Sequence, residues 1–204
     1  MSPRVRIYSW VKRGADVTLA TLGLALSLPI LLVISALIKL DSPGPILFKQ
    51  KRLGRFGRPF TIWKFRTMED GAQTKGTGIF TFEGDPRITR VGKILRELSL
   101  DELPQLVNVI SGSMSLVGPR PPLPDHPYVF SAYPKSALPR FEVRPGITGL
   151  AQVKGRNLLT WDQRFVLDVE YVQKLGPSLD LWILLRTVFA AADKETIVRK
   201  VGDR

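Results

Sequence analysis

The stretch that decides the fold is Val17 to Ile38, VTLATLGLALSLPILLVISALI, which carries no charged side chain. As a straight helix that rises about 1.5 Å per residue, it would match a bilayer hydrocarbon core of roughly 30 Å. The run is too long for the apolar part of a signal peptide. The pattern therefore predicts a membrane segment that the protein retains.

Basic residues flank this segment on both sides, so both flanks look cytoplasmic by the positive-inside rule. Pro29, near its middle, removes one backbone hydrogen bond and predicts two short helical halves joined by a bend, with the Ser27 hydroxyl available to freed carbonyls near Leu26. A re-entrant helix that enters and leaves one leaflet satisfies both observations, and a mildly kinked single span is the alternative. The flanking residues are Arg4, Arg6, Lys12 and Arg13 before the segment and Lys39, Lys49, Lys51, Arg52, Arg55 and Arg58 after it.

The bulk composition of the 204 residues indicates one catalytic body with attached membrane elements. The net charge of +12 indicates an anionic partner, which could be nucleic acid, acidic lipid or a phosphorylated small molecule. With no cysteine, thiol nucleophiles, cysteine-ligated zinc and disulfides are excluded. We expect two parts: residues 1–40 as a re-entrant membrane helix with a basic flank, and residues 41–204 as a catalytic domain at the cytoplasmic face with interfacial C-terminal helices.

Local patterns after the membrane segment predict a helix-rich α+β domain. Ile46 to Met68 reads as a β-hairpin with a turn at Gly54 to Gly57, and a polar, mobile loop follows to Asp85. Apolar residues at helical spacing then predict an amphipathic helix with a basic face, followed by a second helix that Gly112 ends. The apolar face is Ile88, Val91, Ile94, Leu95 and Leu98, and the basic face is Arg87, Arg90, Lys93 and Arg96.

The C-terminal third predicts two more helices. An amphipathic helix runs from about Trp161 to Leu175, and Gly176 and Pro177 separate it from the apolar stretch Leu179 to Ala192. This last helix suits either the membrane interface, with Trp182 as an anchor, or the protein core. The basic cluster Lys49 to Arg58 favours contact with lipid head groups over a substrate site.

Two adjacent acids, Asp101 and Glu102, stand in an otherwise apolar stretch. One interpretation is structural, because Ser99 and Glu102 match a capping box and Pro104 favours a helix beginning nearby. The other is a site for a divalent metal ion and phosphate, which the arginines around the pair favour. Those arginines are Arg96 upstream and Arg120 and Arg144 downstream.

Such a site suits the transfer of a phosphoryl-linked group. One or two carboxylates can hold Mg²⁺, which neutralises a diphosphate, while arginines hold the non-bridging oxygens. A carboxylate can also act as the nucleophile and form an acyl phosphate. Because neighbouring helical positions point about 100 degrees apart, Asp101 and Glu102 should differ in role. We expect one nucleophile and one metal-binding or positioning group.

Six pieces of sequence carry a family resemblance, and their order along the chain makes it more specific than any single piece. With them, the chain resembles the bacterial sugar transferases known as small monotopic phosphoglycosyl transferases, across almost its whole length. In that family a Ser-Pro pair breaks the re-entrant helix, whereas here Leu28 precedes Pro29 and the serine is Ser27. The pieces are the basic N-terminus with its proline-broken segment, KFRTM (64–68), SLDELPQ (99–105), VGPRP (117–121), VRPGITG (143–149) and DVEY (168–171).

The resemblance implies a two-step transfer at the cytoplasmic face of the bacterial inner membrane. Asp101 would attack the β-phosphate of a UDP-sugar, release UMP and carry the phosphosugar until polyprenyl (undecaprenyl) phosphate takes it, in a glycoconjugate pathway such as exopolysaccharide synthesis. Glu102 would assist, and Mg²⁺ would bind at Asp101 and Glu102. The residues expected to contact phosphate are Lys64, Arg96, Arg120 and Arg144.

Two functions without catalysis remain as alternatives. A membrane-anchored nucleic-acid-binding module suits the charge, but neither interleaved aromatic residues nor a helix-turn-helix pattern stands out. A basic scaffold could dock a partner through its amphipathic helices. We expect a UDP-sugar, polyprenyl phosphate and an anionic bilayer surface as partners, and no nucleic acid. The sequence leaves open the sugar and the oligomeric state, a homodimer included.

Overall fold

A single helix of 39 residues, α1 (Pro3–Asp41), begins the structure. The computed structural model describes residues 3–78, 80–82, 84–155 and 158–191, with side chains in the first and last helices described from Tyr8 and up to Val188. The helix continues through Pro29 and does not separate into two helical halves. The Ser27 hydroxyl donates to the Leu24 carbonyl at 3.2 Å, two residues before Leu26, near which the bond was expected. The side chains of Arg4 and Arg6 lie outside the described residues.

Only a narrow stripe of α1 packs against the rest of the protein. Ala20, Ile34 and Ile38 are buried at helical spacing, whereas Leu26 is 83% exposed. Within the described part of the chain, α1 is the helix long and apolar enough to cross a membrane, and only 11% of its most apolar window is buried. It is therefore an exposed apolar helix, unlike a core helix of a soluble protein.

Both flanks of α1 contact the same body. Near its start, Arg13 donates to the carbonyls of Val109 and Ile110 at the end of a later helix. Near its end, Ile38 packs with Phe65 and Leu95. The contacts before and after the apolar segment are thus made with one body, and α1 packs on it near both ends.

The predicted hairpin is confirmed. Strands β1 (Leu47–Leu53) and β2 (Pro59–Phe65) pair antiparallel, with Leu47 opposite Phe65 and Leu53 opposite Pro59. The turn between them is a short 3-10 segment in which Phe56 has a positive φ of 58°. The hairpin carries Ile62 and Phe65 into the core and ends close to the acid pair.

The polar loop after the hairpin is organised by one buried arginine. Arg87 pairs with Asp85 at 2.6 Å, and its guanidinium also donates to the Ala72 and Gly78 carbonyls and to the Thr77 hydroxyl. Arg87 therefore lies inside this loop. The sequence pattern had placed it on the basic face of the next helix, which is wrong. The pattern failed because α2 (Arg90–Glu97) begins only after the N-cap Thr89.

Two short helices follow, with the acids between them. Helix α3 (Gln105–Ser111) ends at Gly112, which has a φ of 90°, as predicted from the glycine. Gly92 of α2 lies so close to the end of β2 that an added Cβ would be 2.1 Å from the Thr67 carbonyl oxygen. Glycine is therefore required where α2 crosses this strand end.

A two-stranded parallel sheet joins distant segments that the sequence patterns did not predict as strands. Strands β3 (Ser115–Val117) and β4 (Gly146–Thr148) pair Ser115 with Gly146 and Val117 with Thr148. A Cβ on Gly146 would lie 2.1 Å from the Gly118 nitrogen. These backbones meet directly, and glycine permits the approach.

The C-terminal helices are α4 (Leu150–Lys154), α5 (Trp161–Gln173) and α6 (Pro177–Ala191). Thr160 and Gln163 form a capping box at the start of α5, and the break before Pro177 is where it was predicted. Ile183 on α6 is fully buried, whereas Leu185 and Val188 are exposed. This last helix thus joins the core with one face and offers apolar side chains to the surroundings with the other. The expected helix-rich α+β class is confirmed.

Candidate active site

The acid pair lies in a 3-10 turn, Leu100–Glu102, between α2 and α3. Ser99 precedes the turn with a left-handed φ of 56° and makes no side-chain capping bond. The capping-box interpretation is therefore wrong, because the Glu102 carboxylate contacts other residues of the protein. The turn presents both acids to the end of the hairpin.

Lys64, near the end of β2, contacts both acids. Its Nζ lies 2.6 Å from Glu102 Oε1 and 3.4 Å from Asp101 Oδ2. All three side chains are less than a fifth exposed, so water screens the attraction only in part. The lysine thus neutralises part of the charge that two adjacent carboxylates accumulate.

Arg120 reaches the same carboxylate oxygen from the proline-rich segment. Its terminal nitrogen lies 3.0 Å from Glu102 Oε1, while 43% of its side chain remains exposed. The guanidinium can therefore hold Glu102 with one edge and offer other N–H groups to an anion.

The two acids have different electrostatic surroundings. Burial raises the pKa of Asp101, and Glu102 raises it further, against the attraction of Lys64, Arg96 and Arg120. Burial opposes ionisation of Glu102 as well, but there Lys64 and Arg120 prevail and hold its pKa well below the usual range. Glu102 is therefore fixed as a carboxylate between two cations, while Asp101 has only the longer contact to Lys64.

Arg96 lies beside this cluster without binding an acid directly. Its Nε donates to the Thr67 hydroxyl at 2.8 Å. Burial lowers the pKa of Arg96, while the carboxylates of Asp101 and Asp85 act to raise it. The close crossing of Gly92 and Thr67 explains how α2 and the strand end hold Arg96 toward the acids.

Arg144 is not part of the acid cluster in the described structure. Its Nε donates to the Gly112 carbonyl at 2.9 Å, and its charged neighbours are Arg13, Arg55 and Asp16. Sequence proximity to glycine and proline had suggested a shared phosphate site. With β3 and β4 paired, Arg120 lies beside the acids and Arg144 lies beside Gly112.

A buried ion pair, Arg140 with Asp168, contacts the backbone of Arg120. The sequence patterns did not single out this pair. Arg140 contacts Asp168 at 2.7 Å and also donates to the backbone carbonyl of Arg120 at 2.9 Å. Asp168 begins one of the quoted pieces, so its position was known but its partner was not. Arg140 had no sequence signal, because it lies in an irregular 3-10 segment.

Arg52 also lies near the acid pair, whereas the sequence patterns assigned it to a cluster in contact with lipid head groups. It donates to the Pro121 carbonyl at 3.2 Å and to Gln50. Burial and the nearby Arg120 lower its pKa to about 10, against the attraction of Glu102. The basic cluster in the hairpin is thus divided, and Arg52 adds positive charge beside the acids.

The donor set at the acid pair fits a hard divalent cation that also binds phosphate. Among the described residues, no group of three or more acidic, histidine or cysteine side chains could hold a metal ion. Mg²⁺ is commonly bound by one or two carboxylates together with substrate phosphates and water, and Asp101 and Glu102 can supply the carboxylates. The Asp101 carboxylate has one described contact, at 3.4 Å from Lys64, and so retains acceptor capacity.

Taken together, the cluster combines one loosely held carboxylate, one fixed carboxylate and several cations. A buried carboxylate with few contacts can attack an electrophilic phosphorus, and lysine and arginine groups can hold phosphate oxygens. The arrangement therefore suits transfer of a phosphoryl-linked group.

The family model for bacterial sugar transferases matches residues 7–194. The chain is 45% identical over 178 residues to an uncharacterized sugar transferase EpsL of Bacillus subtilis, covering 87% of this chain and 85% of that protein. It is 47% identical over 194 residues to a UDP-glucose:undecaprenyl-phosphate glucose-1-phosphate transferase of Caulobacter vibrioides, covering 91% and 71%.

A third relative is the exopolysaccharide production protein ExoY of Rhizobium meliloti, 39% identical over 191 residues that cover 87% of this chain and 83% of the relative. The resemblance inferred from the six pieces of sequence is thereby confirmed. With this match along nearly its whole length, and with the acid pair set among lysine and arginine side chains, the chain belongs to the bacterial sugar transferase family.

Proposed function

We propose that the protein transfers a sugar 1-phosphate from a UDP-sugar to undecaprenyl phosphate, with release of UMP. The observation that carries the proposal is the half-buried pair of Asp101 and Glu102, contacted by Lys64 and Arg120. The name of the Caulobacter relative, a UDP-glucose:undecaprenyl-phosphate glucose-1-phosphate transferase, supports this donor and acceptor class. Family membership favours an enzyme over the scaffold and nucleic-acid alternatives.

In the first proposed step, Asp101 is the nucleophile. One of its carboxylate oxygens bonds to the β-phosphorus, and the bond from that phosphorus to the bridging oxygen breaks. UMP leaves with the bonding electrons, and the phosphosugar remains on Asp101 as an acyl phosphate. The contrast between a loosely held Asp101 and a doubly held Glu102 supports this division of roles.

In the second step, a phosphate oxygen of the lipid attacks the same phosphorus. The bond to Asp101 breaks, its carboxylate is regenerated, and the product is a diphosphate-linked lipid sugar. Throughout, Arg120 offers N–H groups to the non-bridging oxygens, and Lys64 compensates the charge of both acids. Arg96 is proposed as a further phosphate contact from the side of α2.

Mg²⁺ fits the proposed site at the acid pair. When bound, it would neutralise negative charge on the diphosphate. Glu102 is the carboxylate already fixed in its ionised form, and Asp101 retains acceptor capacity. We propose these two acids as the protein ligands, because substrate oxygens can complete the coordination.

For the membrane we propose a monotopic placement at the cytoplasmic face. The two flanks of α1 contact one body, so a helix that crossed the bilayer would have to separate contacts such as Arg13 with Val109 and Ile38 with Phe65. We propose that α1 enters one leaflet and bends back at Pro29, which keeps both sets of contacts; the helix is continuous through this proline in the structure, so the bend belongs to the proposal. The basic side chains around α1 support an anionic bilayer surface as partner.

The reaction is tested by UMP release from purified protein in detergent, with undecaprenyl phosphate, Mg²⁺ and a panel of UDP-sugars. We expect release with at least one sugar, loss on Asp101→Asn, and loss on adding a chelator. Lys51→Met, on the exposed side of β1, is the matched control and should keep the activity. Equal release by Asp101→Asn and the unsubstituted protein would contradict the proposed role of the acid.

A further inference from the structure

A cleft separate from the acid pair lies beside the first turns of α1. It has about 410 Å³ of empty space, its open mouth included. Three arginines from distant parts of the chain line it: Arg13 from α1, Arg55 from the hairpin turn and Arg144 from the segment before β4. We call this space the arginine cleft, after the three arginines in its lining.

None of the three arginines has a carboxylate partner in the part of the chain that the structure describes. Arg13 donates to the carbonyls of Val109 and Ile110, Arg144 to that of Gly112, and Arg55 to that of Glu142. These three guanidinium groups therefore bind neutral carbonyls and make no direct ion pair within the described residues. Burial lowers the pKa of Arg144, and its charged neighbours Arg13 and Arg55 lower it further, against the attraction of Asp16.

Lys12 provides an internal comparison, because it lines the same cleft but is paired. Its Nζ lies 2.8 Å from Asp180 and 3.7 Å from Asp16. Lys12 thus contacts two carboxylates directly, whereas the three arginines have no direct carboxylate contact among the described residues, although Asp16 and Glu142 also line the cleft. An added anion would find its partners among the arginines and not at Lys12.

Capping of α3 explains part of this arrangement but not all of it. Arg13 and Arg144 both bind carbonyls at the end of that helix, where cations are favourable. Arg55 does not touch α3, since its Nε donates to Glu142. Nor does capping use the terminal nitrogens of Arg144, which have no described acceptor and remain available to a ligand.

The position of the cleft along α1 indicates what the ligand is. Arg13 precedes the apolar segment at Val17 by about one helical turn, roughly 6 Å. With that segment in the hydrocarbon, the cleft lies at the depth of lipid head groups. Trp10, on the same turns of α1, is 76% exposed and suits the membrane interface.

We propose that the arginine cleft binds the phosphate of an anionic phospholipid head group. The inference rests on the proposed placement of α1 in the bilayer, but not on the transfer reaction. Charge-assisted hydrogen bonds from Arg55 and Arg144 hold the phosphate, and the acyl chains follow the exposed apolar side of α1. The cleft thereby fixes the depth and orientation of the body relative to the membrane surface.

Native mass spectrometry of the full chain in detergent, titrated with phosphatidylglycerol or phosphatidylcholine, tests the site. We expect tighter binding of the anionic lipid and a loss of about fivefold in that affinity on Arg55→Gln, the factor that corresponds to about 1 kcal/mol. Arg58→Gln is the matched control, because Arg58 is an exposed arginine of the same turn outside the cleft lining. Thermal unfolding should be equal for the two variants.

Three further outcomes separate the possibilities. Equal effects of Arg55→Gln and Arg58→Gln, or none, would overturn the site, because the binding would then follow general surface charge. Displacement of phosphatidylglycerol by excess UDP-sugar would overturn it in favour of a substrate site. Asp101→Asn, which should abolish transfer, should leave lipid binding unchanged, so failure of the proposed reaction would not be mistaken for failure of the cleft.

Discussion

At the residue scale, the proposed chemistry depends on a difference between two neighbouring carboxylates. Glu102 is held by Lys64 and Arg120, while Asp101 has one longer contact with Lys64. The difference arises because Arg120, from the proline-rich segment, reaches Glu102, and because Lys64 lies closer to Glu102 than to Asp101. A carboxylate held twice is a poor nucleophile, and one held loosely can move onto a phosphorus atom.

Lys64→Met should shift the acid limb of the first half-reaction to higher pH. In the proposed mechanism Asp101 must be ionised to attack; burial raises its pKa, and Lys64 acts to lower it. Removal of a cation within contact distance should therefore move this limb upward by about 1 to 3 pH units. The measurement is single-turnover UMP release against pH, with Lys51→Met as control. An unchanged limb in Lys64→Met would show that the lysine does not act on Asp101.

Asp168→Asn should destabilise the protein strongly. Both partners of the Arg140–Asp168 pair are at most 3% exposed, so the substitution leaves a buried guanidinium without its counter-ion. We expect a loss of about 3–5 kcal/mol in the free energy of unfolding. Glu170→Gln on the same helix is the comparison, because its exposed pairs with Lys154 and Lys174 should contribute less than about 1 kcal/mol. Similar melting temperatures for the two variants would contradict this.

The candidate site was predictable in so far as charge determines it. The structure does bring Lys64 and Arg120 into contact with the acid pair. Attraction between opposite charges favours such contacts. Arg144 was expected beside the acids but lies beside Gly112. Its position follows from the pairing of β4 with β3, which the sequence patterns did not predict. Arg140 was missed because its role depends on a partner 28 positions away, which no local pattern reveals.

At the scale of elements, close backbone approaches set the site. The hairpin, the end of α3 and the break before α6 follow from local turn residues and were predicted. The β3–β4 pairing and the crossing of α2 over the end of β2 were not, because they join short segments far apart in sequence. Glycines at 92, 118 and 146 mark these approaches, but a glycine alone does not identify what comes close.

Gly92→Ala should disturb the site through the backbone. An added Cβ would lie 2.1 Å from the Thr67 carbonyl oxygen, so α2 must shift and carry Arg96 with it. We expect a loss of about 1–3 kcal/mol in the free energy of unfolding and slower UMP release. Gly14→Ala is the control, because nothing lies within 4 Å of its added Cβ and alanine favours the helix. A Gly92→Ala protein as stable and active as Gly14→Ala would refute the close crossing.

At the scale of the whole molecule, the long helix and the body form one unit. The stripe of α1 that includes Ala20 and Ile34 packs on the body, while the remaining apolar surface faces outward. A catalytic body that lies against a membrane surface can bind a water-soluble nucleotide sugar and a lipid acceptor at the same time. This geometry gives a physical reason for attaching the body along α1 and not through a single terminal tether.

The proposed topology can be tested with single cysteines, because the chain has none of its own. Ser2→Cys and Arg58→Cys should both resist an impermeant thiol reagent applied to intact cells, and both should react after permeabilisation. The reason is that the proposed placement puts both flanks of α1 on one side of the bilayer. Labelling of Ser2→Cys from outside, with Arg58→Cys protected, would contradict the re-entrant placement and favour a single span.

The central claim is that Asp101 carries the phosphosugar between the two steps. The most direct measurement is mass spectrometry of the acid-quenched protein after mixing with UDP-sugar and Mg²⁺ in the absence of lipid, with the modified peptide located by fragmentation. We predict one phosphosugar adduct on Asp101, an equal amount of released UMP, and neither in Asp101→Asn. UMP release that occurs only with undecaprenyl phosphate present, and never with an adduct on Asp101, would contradict the account and indicate direct transfer.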